Sequence, residues 1–187
     1  TGTLAYMNHQ DAWILRGSNR TRRRLTALGD LDGRVFALSP DATRLLFTRA
    51  VTEANHINAL WLIRTGEADP DPIPLNVNDV LWAGWHPKDA RIAWTTAEVI
   101  EAAPGWRGKN DLWTAILSVQ NALISRREVL KPEAGGGYGW WGTRYAWSPT
   151  DDTLAYSQPD TVGVVTLRDG KRTPLLTFPA YRTYSSW

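Results

Sequence analysis

The sequence predicts an all-β fold, a β-propeller of four-stranded antiparallel blades with about four blades present. Three observations carry that expectation. A short apolar run ending in an aromatic recurs at Leu4-Ala5-Tyr6, Leu45-Leu46-Phe47, Ile92-Ala93-Trp94 and Leu154-Ala155-Tyr156. Three of these runs follow a proline turn, Leu38-Ser39-Pro40-Asp41, Trp85-His86-Pro87-Lys88 and Trp147-Ser148-Pro149-Thr150. Proline fixes φ there and a polar residue closes the turn, so each unit reads strand, tight turn, strand. After each landmark aromatic come a variable loop and a third strand, and the length variation is confined to the loops.

The third strands are Ala12-Trp13-Ile14-Leu15, Leu60-Trp61-Leu62-Ile63, Leu112-Trp113-Thr114-Ala115-Ile116 and Val162-Gly163-Val164-Val165. More polar fourth strands follow at Arg23–Thr26, Pro72–Leu75, Arg127–Leu130 and Thr173–Leu176. The blade units are expected at about 1–30, 31–77, 78–133 and 134–178, with 179–187 starting or completing a further blade. An immunoglobulin-like sandwich would also give many short strands, but not the same aromatic-turn-aromatic cassette in successive units. The chain opens on a second strand and closes on Tyr184-Ser185-Ser186-Trp187, which reads as a first strand. Two arrangements stay open: a closed four-blade ring, or part of a larger ring, with a homo-oligomer completing the circle as one possibility.

Composition narrows the function classes. With 187 residues and 43% hydrophobic content, the chain can bury a substantial core. A net charge of +2 gives no general drive towards nucleic acid or anionic lipid. No apolar run approaches a membrane span, so no membrane insertion is expected. The absence of cysteine removes disulfides, thiolate metal sites and thiol nucleophiles.

The blade motif resembles the repeat of TolB-like propellers, in which a Ser-Pro-Asp-Gly turn precedes an apolar strand and an Arg-x-Leu-Thr strand follows later. The residues that carry the resemblance are Ser39-Pro40-Asp41, His86-Pro87 with Asp89, Ser148-Pro149 with Asp151, and Arg23-Arg24-Leu25-Thr26. The turn glycine is replaced by Ala42, Ala90 and Asp152, which marks a degenerate member. The resemblance covers nearly the whole chain and implies rings of usually six blades, a protein or peptide partner, and a periplasmic or extracellular setting. A related repeat gates prolyl-oligopeptidase-like peptidases, so the chain could also be the propeller part of such an enzyme.

No catalytic motif, cofactor site or metal site is expected. Nucleophile elbow, phosphate loop and dinucleotide fingerprint are all missing from the sequence. His9, His56 and His86 lack metal-ligand spacing and read as loop residues. Asp30/Asp32, Asp69/Asp71 and Asp151/Asp152 read as turn formers, not as calcium ligands. Arg20, Arg22, Arg23 and Arg24 read as a solvated outer edge. Asn19-Arg20-Thr21 fits a glycosylation acceptor.

The 11 Trp are the unusual feature. Trp85, Trp147 and Trp187 share one repeat position, Trp13, Trp61 and Trp113 another, and Trp94 stands with Tyr6, Phe47 and Tyr156, so these seven are expected to wedge blades together. The remainder fall on loops of one face: Trp106 with Arg107 in the loop 97–110, Tyr138, Trp140 and Trp141 in the glycine-rich connection 131–143, and Trp82 near the axis. With Arg107 and Arg144 available for carboxylates, these residues form a candidate ligand-binding face. It suits a protein or peptide partner, or alternatively a carbohydrate.

Overall fold

A computed structural model describes residues 2–17, 20–52, 55–101, 103, 105–133 and 141–178. The chain forms four antiparallel sheets in succession. Blade 1 holds β1 (Thr3–Asn8), β2 (Asp11–Arg16) and β3 (Thr21–Arg24). Blade 2 holds β4 (Leu31–Leu38), β5 (Arg44–Ala50), β6 (Asn58–Arg64) and β7 (Ile73–Asn78). Blade 3 is built of β8 (Val80–Trp85), β9 (Arg91–Val99), β11 (Leu112–Leu117) and β12 (Leu123–Leu130), with a short β10 (Trp106–Gly108) paired to the far end of β9. Blade 4 holds β13 (Arg144–Trp147), β14 (Thr153–Gln158), β15 (Thr161–Thr166) and β16 (Arg172–Thr177). The propeller expectation is met. No helix among the described residues is long and apolar enough to cross a membrane.

The repeat acts through register. Because side chains directly opposite on neighbouring strands share a face, each landmark aromatic faces the third-strand residue across from it. The pairs are Tyr6–Trp13, Phe47–Trp61, Trp94–Trp113 and Tyr156–Gly163. Tyr6 stacks on Trp13 at 6.4 Å and Trp94 on Trp113 at 6.3 Å, with Arg126 over both blade 3 rings. In blade 4 the glycine leaves room for Tyr156: a Cβ on Gly163 would lie 2.5 Å from the Thr173 carbonyl oxygen and 2.7 Å from the Tyr156 hydroxyl. No other residue fits that position without moving β16.

The aromatic-bearing face of each blade packs on the opposite face of the blade before it. Leu45, Phe47 and Ile63 of blade 2 close over Ala12, Ile14 and Leu25 of blade 1. Ile92, Trp94 and Ala115 of blade 3 close over Leu46, Leu60 and Leu62 of blade 2, and Leu154, Tyr156 and Val165 of blade 4 over Ala93 and Leu112 of blade 3. Each fully buried large apolar side chain in these junctions contributes roughly 1.5–3 kcal/mol. Two of the wedge tryptophans also pin blade to blade: Trp85 donates its indole N–H to the Ala37 carbonyl at 2.8 Å, and Trp147 to the Gly84 carbonyl at 3.1 Å.

The solvated-edge reading of the arginines is corrected in part. Arg23 reaches the Thr65 and Glu67 carbonyl oxygens of blade 2, and Arg24 pairs with buried Asp11 at 2.5 Å. Arg127 stands at the same position of blade 3 as Arg23 in blade 1 and donates to the Leu167 and Arg168 carbonyl oxygens. Guanidinium groups on outer strands therefore clamp two junctions, while Ile73 fills that position in blade 2 and joins the core cluster. At the proline turns, Ser39 donates to Asp41 at 2.6 Å, and Ala42 takes a φ of 57°. That left-handed conformation accounts for glycine at this position in the related repeat. His86 lies in the turn after β8, as expected, and is buried there, 3.0 Å from Asp89 and edge-on to Trp147.

Candidate functional site

The loop face is built by backbone first. Expected as a long loop, 97–110 instead continues the β9 hairpin: Trp106, Arg107 and Gly108 lie opposite Val99, Glu98 and Ala97, a register that nearly continues the Trp94–Trp113 pairing of β9 with β11. The hairpin stands up on this face and carries Trp106 with it. From the blade 4 side, Gly142 approaches the hairpin at a φ of 74°, where a Cβ would lie 2.8 Å from Leu81 Cδ1 and 3.6 Å from the Gly108 Cα. The positive φ favours glycine at that position, and the segment delivers the neighbouring Trp141.

Trp106 and Trp141 meet edge to face at 6.2 Å. The Arg34 guanidinium, from the start of β4, lies 4.6 Å from the Trp106 ring centre. Three blades thus contribute to one aromatic patch. Trp106 is half-buried, whereas Trp141 is 67% exposed, a large cost to leave unburied for a side chain of this size.

The other expected site residues divide. Arg107 is committed to Glu98 at 2.7 Å, which lowers the Glu98 carboxyl and raises the guanidinium. It is therefore not the free cation that was expected. Arg144 at the start of β13 is exposed and has no acidic partner among the described residues. Trp82 is turned into the blade 3–blade 4 junction, 5.6 Å from Tyr145, and is a wedge, not part of the open patch. Burial there pushes the Tyr145 phenol up to about 12. Tyr138 and Trp140, like Asn19 of the glycosylation pattern and the strand expected at Tyr184–Trp187, lie outside the described residues.

Beneath the patch is a polar frame that the sequence reading did not single out. Asn58 and Asn110 each stand three residues before the third-strand Trp, and both are buried. The Asn58 side chain accepts from Val80 N at 2.8 Å and donates to Val80 O at 3.0 Å, tying blade 2 to blade 3. Asn110 accepts from the Thr143 hydroxyl at 2.9 Å, tying blade 3 to the start of blade 4. Asp111 accepts from the Thr95 hydroxyl, Thr96 N, the Thr96 hydroxyl and the Trp113 indole at 2.7–2.9 Å. Buried polar groups of this kind hold loops because leaving them unpaired is costly. The signal was present as Asn-Asp-Leu-Trp and Asn-Ala-Leu-Trp.

Clefts of about 180 and 300 Å³ lie elsewhere, at the proline turns of blades 2 and 3 and between β7 and the β11–β12 turn. On the loop face the edge-to-face Trp106–Trp141 pair offers an exposed aromatic surface of the kind that suits contact with a partner. Among the described residues no group of three metal-ligating side chains converges.

No family model matches the chain, and no curated protein matches its sequence. Solved structures do match in fold. A nidogen/laminin complex structure matches with TM-score 0.61 at 11% identity over 94% of this chain and 62% of that one. TolB from Acinetobacter baumannii matches with TM-score 0.54 at 15% identity, covering 89% and 38%. The propeller domain of the trilobed protease from Pyrococcus furiosus matches with TM-score 0.53 at 15% identity, covering 90% and 49%. The chain spans less than two thirds of each of these structures. At such identities the likeness is one of fold: the chain has the architecture of a β-propeller, shared by proteins of binding and of peptidase type.

Proposed function

We propose that the chain is a non-catalytic TolB-like propeller module that docks a protein or peptide partner on the Trp106–Trp141 face, in an extracytoplasmic setting. The carrying observation is the exposed Trp141 ring meeting Trp106 edge to face, next to a glycine at positive φ. A rigid, amphipathic aromatic of this kind is the commonest anchor of protein interfaces. The Arg34 guanidinium lies over the Trp106 ring and 3.7 Å from Asp32, and Arg144 is exposed three residues after Trp141, so the favoured partner segment pairs an aromatic or proline side chain with a carboxylate. The TolB resemblance supports the same reading and the setting.

Peptide display on the folded chain, counter-screened with Trp141→Ala, tests this. Selected peptides are expected to carry an aromatic or proline beside Asp or Glu, and to bind Trp141→Ala at least tenfold more weakly, about 1.4 kcal/mol. Equal binding to both proteins would remove the face from consideration. Saturable fluorescence quenching by oligosaccharides, with no peptide selected, would replace the peptide reading by a glycan one.

A further inference from the structure

The cleft of about 300 Å³ between β7 of blade 2 and the β11–β12 turn of blade 3 has a wall of mixed character. Ile73 and Leu123 line it with apolar surface and pack on the core cluster beneath. Asn121 and Arg126 line it with polar groups. Its volume stands at the lower end of the range for small-ligand sites, roughly 300–1,000 Å³. The turn closes β11 at the end remote from the β9 hairpin. The cleft is therefore separate from the Trp106–Trp141 patch, and nothing here rests on the docking reading.

Both polar groups have capacity that the fold does not use. Asn121 is 3% exposed, yet its Oδ1 has no hydrogen-bond partner among the described residues. The turn accounts for its backbone, which takes a φ of 64° and donates from N to the Ser118 carbonyl at 2.9 Å. Glycine would serve that turn as well, so the turn does not account for the amide. A buried oxygen left unpaired is costly, and the broad χ2 of asparagine lets the amide rotate to bring it to a ligand. Arg126 is exposed, with its guanidinium carbon 5.2 Å from the Trp94 ring centre and 5.1 Å from that of Trp113. No residue lining the cleft is acidic. At the proline turns, by contrast, the smaller cleft sets Asp41 and Asp89 against Arg44 and Lys88.

We propose that this cleft binds an N-acylated aliphatic amino acid, the chemistry found at the C-terminus of a peptide. Its carboxylate pairs with the Arg126 guanidinium, its amide N–H donates to Asn121 Oδ1, and its side chain lies on Ile73 and Leu123. One cation, one unpaired acceptor and an apolar wall match the three parts of such a ligand.

Chemical-shift titration of the full chain with N-acetyl-glycyl-leucine tests this. Saturable shifts are expected at the backbone amides of 73, 75, 76 and 120–126. The C-terminal amide of the same dipeptide is uncharged and should bind roughly tenfold more weakly, as should the free acid to Arg126→Gln. Asn121→Gly keeps the left-handed turn but removes the acceptor, and a loss of about fivefold is expected. A peptide end is the source if the dipeptide binds more tightly than N-acetyl-leucine; equal affinity would overturn that source in favour of the free N-acyl amino acid. The absence of saturable shifts, shifts confined to β10 and β13, or equal binding of acid and amide overturns the proposal. Because the comparison of acid with amide needs no variant, it decides the matter even where Arg126→Gln fails to fold.

Discussion

Trp94→Ala should lower the unfolding free energy by roughly 3–5 kcal/mol, the range for deleting a buried tryptophan from a core that cannot collapse around the space. The ring is fully buried, stacks on Trp113, lies under Arg126 and sits in the cluster that joins blades 2 and 3. Its indole N–H has no acceptor among the described residues. Trp94→Phe removes that unpaired donor while keeping an aromatic wedge of the kind Phe47 supplies in blade 2, so it should cost about 1 kcal/mol or less. Tyr6→Ala, at the same repeat position in half-open blade 1, should cost less than half of the Trp94→Ala loss. Urea denaturation of the three variants measures all of this, and equal losses at positions 6 and 94 would contradict the packing account.

Asp111→Ala is the second large effect, of about 3 kcal/mol or more, because it strips acceptors from Thr95, Thr96 and Trp113 in a place water does not reach. Its consequence should extend past stability. Asp111 fixes the point at which the β9 hairpin leaves the blade and rises to carry Trp106, so the fluorescence of the aromatic patch should change as well. Asp111→Asn retains one acceptor oxygen and is expected to fall between wild type and Asp111→Ala. A normal emission spectrum in Asp111→Ala would mean that the hairpin is positioned by other contacts.

The architecture was readable because it depends on positions that repeat. Tyr6, Phe47, Trp94 and Tyr156 mark the same strand in four sheets, and their register partners follow two-residue alternation, which the sequence displays directly. Arg23 and Arg127 were harder to place, since a charged residue on an outer strand looks the same whether it faces solvent or reaches a neighbouring blade's carbonyl oxygens. Trp82 was assigned to the open face for a related reason: chain position puts it near the axis, but only the packing of Tyr145 shows where its ring turns. In 97–110 the Gly and Pro residues suggested a loop, whereas Trp106–Gly108 pairs with the far end of β9 as a continued hairpin. Trp141 and Arg144 kept the exposure that the sequence reading required, whereas Arg107 lost its freedom to Glu98, four positions beyond Trp94.

Serial stacking has a mechanical corollary. Each blade leans only on its immediate predecessor and successor, so free energy is distributed along a line, not shared through one central core. Among the described residues, blades 2 and 3 are flanked on both sides while 1 and 4 pack on one described neighbour each. Amide exchange should accordingly be slowest in β5, β6 and β9 and quickest in β1 and β16, with opening events that begin at the extremities and travel inward.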